Sequence, residues 1–296
     1  MLRPKPEQLS CLTPMERVAF TVADRSNRWP ILKRTGQAYL RTIGRSWVHH
    51  CTKNLLHVHG REHLEALTPD RGVMLVSNHR SFFDMYVIAA VLFRTVDWVK
   101  NLYFPVRSDY FYDRADGIVL NGIMSAMAMY PPILRDPRKR SFNQFSIDIL
   151  SELGRQPGNV IGMHPEGTRN KGDDPYTLLT VRPGSGQLVH EAHPIVVPMF
   201  TLGLGNDFPR QVRSNFDGTG EPITLVIGKP LDLSSFYEEP ANLKTYTRIT
   251  ERIGSEIAAL GQEERAIRKR DGLPSKDAVA AGGRALSAVS KKRSVA

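Results

Sequence analysis

From residue 54 onward, short apolar runs alternate with longer segments whose apolar residues recur every three or four positions. The runs Leu55–His59, Val73–Ser77, Asp97–Phe104, Asn159–Met163, Ile195–Phe200 and Ile223–Ile227 have the length and β-branched content of strands. Between them, Phe82–Phe93, a segment near 117–129, Phe142–Leu153 and a short stretch at Gly186–Glu191 read as helices. Gly154 is a natural stop for the third of these. Residues 243–270 predict a charged helix. Strand and helix in alternation predict an α/β fold, with a mixed, mostly parallel central sheet flanked by helices. There is no internal repeat.

Ahead of this pattern the chain reads as helical, giving a basic N-terminal helical extension. Pro30 suits a first helical turn. Ile31–Lys53 mixes Leu32, Tyr39, Leu40, Ile43, Trp47 and Val48 with Lys33, Arg34, Arg41 and Arg45. That composition fits a helix lying in a membrane interface, and equally one packing an apolar stripe on the main domain. The longest uncharged stretch, Ile118–Leu134, is interrupted by Asn121 and Pro131-Pro132. It reads as a buried helix with a following segment, too short and too broken for a membrane span.

Charge sharpens this division. Residues 1–61 carry 11 Lys/Arg against 3 Asp/Glu, residues 265–296 carry 9 against 2, and the stretch between carries 20 against 25. The net charge of +10 therefore belongs to two basic ends around a mildly acidic body. Four regions are expected: a helical membrane-association region (1–61), an α/β catalytic domain (62–235), a C-terminal helix (236–270) and a disordered basic tail (271–296). Basic ends suit an anionic lipid surface. No basic patch interleaved with aromatics points to nucleic acid. Two cysteines without a CxxC, and no apolar leader core, fit a reducing compartment and a peripheral place on the cytoplasmic face of a membrane.

The chemistry gathers after two strands. Asn78-His79-Arg80-Ser81-Phe82-Phe83-Asp84 follows Val73–Ser77. On one helix, residues five apart would point about 140° away from each other. With a helix starting near Phe82, His79 falls in the turn and Asp84 in the first helical turn, from which its carboxylate can reach back to the imidazole. The ordinary alternative is a capping pattern, Ser81-x-x-Asp84, with His79 incidental. Met163-His164-Pro165-Glu166-Gly167-Thr168-Arg169 follows Asn159–Met163, and Glu166, Thr168 and Arg169 are expected to face outward together, the arginine suited to phosphate. An unremarkable charged turn would read the same way. Arg135 is a lone charge after apolar sequence. Arg182-Pro183-Gly184-Ser185-Gly186 precedes a helix whose amides could meet an anion, but lacks the spacing of a nucleophile elbow. His79, Asp84 and His164 match no standard zinc spacing.

Taken in order, Asn-His-x-Ser-x-x-Asp, an isolated Arg, Pro-Glu-Gly-Thr-Arg and Ile195-Val196-Val197-Pro198 resemble the lysophospholipid acyltransferase family that includes 1-acylglycerol-3-phosphate acyltransferase, over residues 66–230. The first and third blocks are close matches; the second retains little beyond Arg135, and the fourth is generic. The resemblance implies transfer of a fatty acyl group from acyl-CoA or acyl carrier protein to a hydroxyl of a lysophospholipid or glycerol phosphate, with 1-acyl-sn-glycerol-3-phosphate foremost. It implies His79 as general base, Asp84 as its orienting partner, and Arg135, Glu166, Gly167, Thr168 and Arg169 as the acceptor site, with no metal or further cofactor. His164 stands where the family usually has an aromatic or apolar residue, and Asn170 where Ser is common, which leaves the acceptor open. Two other classes are weighed. A non-catalytic lipid-binding protein would bind vesicles without acyl transfer, and a metal-dependent hydrolase would carry stoichiometric metal.

Overall fold

The computed structural model describes residues 1–274, so most of the expected basic tail lies outside the described residues. Three N-terminal helices, α1 (Pro6–Ser10), α2 (Pro14–Arg28) and α3 (Pro30–Tyr39), each begin on a proline, whose missing N–H costs nothing there. A π-helical turn (Leu40–Gly44) joins α3 to α4 (Arg45–Thr52). The chain continues through β1 (Leu56–His59), α5 (Glu62–Glu65), β2 (Val73–Ser77), α6 (Asp84–Thr95), β3 (Asn101–Tyr103), β4 (Val106–Arg107), α7 (Ser108–Phe111) and α8 (Ala115–Ser125). It then forms β5 (Pro132–Ile133), α9 (Arg140–Gly154), β6 (Asn159–Met163), α10 (Gly184–Ala192), β7 (Ile195–Leu202) and α11 (Phe208–Asp217). The last elements are β8 (Ile223–Ile227), α12 (Ser234–Tyr237) and α13 (Leu243–Arg270).

Six strands make the central sheet in the order β1-β8-β7-β2-β6-β3, and every neighbouring pair is parallel except β7–β8. This is the mixed, mostly parallel α/β architecture expected. Strands β2 and β8 are buried along their whole length, as unbroken apolar runs covered on both faces should be. The faces are assigned by two glycines. A Cβ on Gly162 of β6 would meet Met85 of α6, whereas Ile161 of the same strand lies against Gly154 of α9. Successive strand residues point to opposite faces, so α6 and α9 cover opposite sides. Helix α13 packs on α10, β7 and β8, on the α9 side.

Several expectations need correction. A division at residue 61 does not follow the sheet, because β1 pairs with β8, and α13 packs on the same core. The 97–104 strand shortens to Asn101–Tyr103, and α6 starts at Asp84 rather than Phe82. The helix near 117–129 ends at Ser125, since Ala126 and Met127 adopt φ of 48° and 64°. That helix is also not buried. In α8 the inward positions are Gly117, Asn121 and Ser125, while Val119, Leu120 and Ile123 face outward. Helix α3 is turned the same way: Lys33 and Gln37 are buried, and Ile31 and Leu32 are exposed. The buried Lys33 amine donates to Asn27 Oδ1 (2.8 Å) and the Leu102 carbonyl (3.3 Å) and sits 3.7 Å over the Tyr103 ring, while burial holds its pKa well below the ordinary lysine value. Among the described residues no helix is long and apolar enough to cross a membrane.

Candidate active site

Strands β2 and β6 are parallel neighbours with Val76 beside Met163, so they end level with each other. The residues that follow, Ser77–His79 and His164, therefore emerge together at the carboxyl ends of adjacent central strands, where open α/β sheets place their sites. Three anchors hold the turn after β2. The Asn78 side chain bonds both the carbonyl and the N–H of Thr201 on β7, each at 2.8 Å, extending the sheet by one side chain. The His79 N–H donates to Glu166 Oε1 (2.7 Å), and the His79 carbonyl accepts from Asn170 N–H (2.7 Å). The backbone of His79 is thus clamped by the segment after β6.

Asp84, 1% exposed, reaches back from the first turn of α6 as its spacing predicted. Its Oδ2 accepts from the backbone N–H groups of Arg80 and Ser81 (2.8 Å each) and lies 3.1 Å from His79 Nδ1. Because a carboxylate only accepts, Nδ1 carries the proton and Nε2 keeps its lone pair. Burial, with Arg169 and Arg107 nearby, lowers the His79 imidazole to about 4, and burial raises the Asp84 carboxyl to about 6. At neutral pH the pair is a neutral imidazole on an ionised carboxylate, the state a general base requires.

The ring of His164 lies parallel to that of His79, with centroids 4.0 Å apart and planes within 5°. Its Nδ1 lies 3.1 Å from both the Ser77 carbonyl and Ser77 Oγ. Ligand atoms of His79, Asp84 and His164 come within 4.8 Å of one another. Asp84 Oδ2 already accepts from three donors, so a metal drawing on these three residues would have to take the other carboxylate oxygen or displace a donor.

The Pro-Glu-Gly-Thr-Arg turn divides its expected roles. Glu166 points inward, not outward: it is 2% exposed, and its second oxygen accepts from Leu179 N–H (2.8 Å), so it braces two loops. Gly167 takes φ of 65°, the left-handed conformation that lets the turn close. Thr168 Oγ1 accepts from Arg107 Nη1 (3.2 Å), and Arg169 Nη1 donates to Asn206 Oδ1 (2.9 Å). Arg107, which also pairs with Asp109, is a site residue that the sequence pattern passed over. Arg135 is 58% exposed with its Nε 3.7 Å from Asp109, at the edge of the same cationic group. The Arg182–Gly186 segment offers no anion site at Gly186, whose N–H donates to Thr250 Oγ1 (2.8 Å). Beside the His79 turn lies a polar cavity of about 310 Å³, with Arg80, Asn170, Lys171, Tyr176 and Asn206 in its wall.

A His–carboxylate pair, its acid buried, thus stands at the carboxyl ends of two parallel strands with the Arg107 and Arg169 guanidiniums nearby. The chain belongs to the acyltransferase family: the family model described as Acyltransferase matches residues 55–201, from the residue before β1 to Thr201, the Asn78 anchor on β7. That makes it an acyltransferase. No curated protein matches it. Among solved structures, the 1-acyl-sn-glycerophosphate (LPA) acyltransferase PlsC from Thermotoga maritima is similar at 16% identity and a TM-score of 0.46, covering 82% of this chain and 88% of that one.

Proposed function

We propose that this protein moves a fatty acyl group from a thioester, acyl-CoA or acyl carrier protein, to a free hydroxyl of a phosphate-bearing glycerolipid, foremost 1-acyl-sn-glycerol-3-phosphate. The observation that carries the reading is the His79–Asp84 pair set between Arg107 and Arg169. His79 Nε2 takes the proton of the acceptor hydroxyl as its oxygen attacks the thioester carbonyl. Collapse of the tetrahedral adduct breaks the C–S bond, and the proton passes from the imidazolium to the departing sulfur. Asp84 keeps the ring oriented and balances its transient charge. The thioester is already activated, so alignment and proton transfer supply the remaining rate.

Arg107 and Arg169 present planar donor forks suited to the acceptor phosphate, with Thr168 holding one of them in place. Arg135 joins them by exchanging its exposed partner Asp109 for phosphate, since such an ion pair is worth at most about 1 kcal/mol. The outward turn of α3 and α8 supports a seat on a membrane surface. The hydroxyl of Tyr39 on α3 donates to the Ile123 carbonyl on α8 (2.9 Å), which brings the two helices together. Ile31, Leu32, Val119, Leu120 and Ile123 face outward, with Arg34 on the same helix as the first two.

The test is acyl transfer by purified protein from palmitoyl-CoA to 1-acyl-sn-glycerol-3-phosphate, with a monoacylglycerol as phosphate-free control. Transfer to the phosphorylated acceptor, abolished in His79→Ala, is expected. Equal transfer by wild type and His79→Ala would remove His79 as the base. Equal use of both acceptors would remove the phosphate site.

A further inference from the structure

The second imidazole of the site has no part in the mechanism above, yet it covers a full face of the first. We propose that His164 is a positioning residue for the base, a neutral aromatic platform that fixes the His79 ring and stabilises the positive charge it takes up in the reaction. This deepens the acyltransferase reading and rests on it.

Three observations carry the inference. First, the two rings are parallel and 4.0 Å apart, the separation at which an aromatic face attracts a cation lying over it. Second, the platform is held from below. His164 follows β6 directly, and its Nδ1 sits 3.1 Å from the Ser77 carbonyl, which can only accept. The His164 ring is therefore fixed with its proton on Nδ1, independently of His79. Third, the opposite constraint on His79 comes from Asp84, in the plane of its ring. An edge-on carboxylate and a face-on ring together remove both motions that would swing Nε2 away from the hydroxyl. Rotation about the Nδ1···Oδ2 contact would strike the His164 face.

The charged groups around the pair agree with this assignment. Asp84 is the acid on the His79 edge, Glu166 lies across the loop, and Arg80, Arg107 and Arg169 approach from three segments. Desolvation of the His164 ring, with His79 charging beside it, disfavours a second positive charge there, so the platform stays neutral while His79 charges.

The experiment compares wild type, His164→Ala and His164→Phe in the transfer assay, with kcat, both KM values and the pH profile of kcat/KM. A cation over an aromatic face is worth about 0.5–2 kcal/mol, so His164→Ala should lose roughly 2- to 30-fold in kcat with KM values little changed. Its acid limb should also move downward, because the imidazolium loses the face that stabilises it. His164→Phe, which keeps a flat face, should recover most of both. Wild-type kcat and acid limb in His164→Ala would overturn the proposal. So would His164→Phe as impaired as His164→Ala, which would show that the imidazole nitrogens matter and not the face. Should the alanine variant fail to fold, ring-nitrogen NMR of the wild-type protein decides. On acidification His79 should take up a proton before His164, and the reverse order would overturn the platform. Absence of acyl transfer by wild type sinks the function instead, and the NMR order still reports on the stack.

Discussion

One oxygen of Asp84 serves three donors, two backbone N–H groups and the His79 ring. This concentrates the consequences of one substitution. Asp84→Asn still offers an oxygen to the backbone but no charge to an imidazolium, so kcat should fall by about 10²–10⁴ with acceptor KM nearly constant. Stability should respond differently. Folding raises the Asp84 carboxyl from 3.8 to about 6, so the folded chain holds that proton more tightly than the unfolded one. Its contribution is favourable at low pH and is lost as pH rises through about 6. Asn does not titrate. Thermal melts from pH 4 to 8 should therefore show the wild type losing ground to Asp84→Asn as pH rises, and a gap that widens the other way would contradict the burial of a charged carboxylate here. The His79 imidazole moves oppositely, down from 6.5 to about 4. Activity requires its unprotonated form, so the acid limb of kcat/KM should lie below 6.5, and a limb at or above that value would refute the shift. The His79–Asp84 pair was legible in the sequence because five residues spanning a turn and a first helical turn bring the side chains together. The inward turn of Glu166 was not, since its partner Leu179 N–H lies thirteen residues on, across a loop without periodicity.

Between elements, the fit rests on close backbone approaches. Gly186 in α10 faces α13 so closely that an added Cβ would lie 1.9 Å from the Tyr246 carbonyl oxygen. Nothing flexible can yield there, because the obstacle is helix backbone. Gly186→Ala should cost about 1–3 kcal/mol or more by overpacking, seen as a lower midpoint in thermal unfolding, and an unchanged midpoint would show that α10 and α13 can separate freely. The sequence around this glycine suggested an anion site, because Gly-Ser-Gly before a helix looks the same whether it approaches a ligand or another helix. The strands show the converse. Apolar runs marked β2 and β6 at their observed bounds, but their adjacency, on which the whole site depends, is a property of strand order that local pattern does not carry. Helix α8 was overextended for a related reason: the left-handed turn that ends it is fixed by Asn27, whose side-chain amide donates to the Met127 carbonyl a hundred residues away.

For the whole molecule, the sequence marked 31–53 as an amphipathic helix and 118–134 as a buried helix with a following segment, and neither reading carried which way α3 and α8 turn. That choice is made by partners distant in sequence. Lys33 goes inward because Asn27, Leu102 and Tyr103 receive it, and Asn121 and Ser125 go inward because they bond each other. The apolar residues are left outside, Ile31 at 65% exposure and Ile123 at 61%. Ordinary folding would bury such side chains, each worth about 1.5–3 kcal/mol when fully removed from water. Two helices turned the same way therefore make a surface that a bilayer can cover, with the basic N-terminal region adding attraction to anionic lipid. Replacing Ile31 and Ile123 together by Glu should weaken binding to anionic vesicles by at least tenfold in a sedimentation assay. Leu243→Glu, equally exposed at the start of α13, should leave binding unaltered. Raising salt from 0.05 to 0.5 M should weaken wild-type binding by screening the basic residues while preserving the apolar part. If Leu243→Glu reduced vesicle binding as much as the double substitution, the α3–α8 surface would not be the one that meets the membrane.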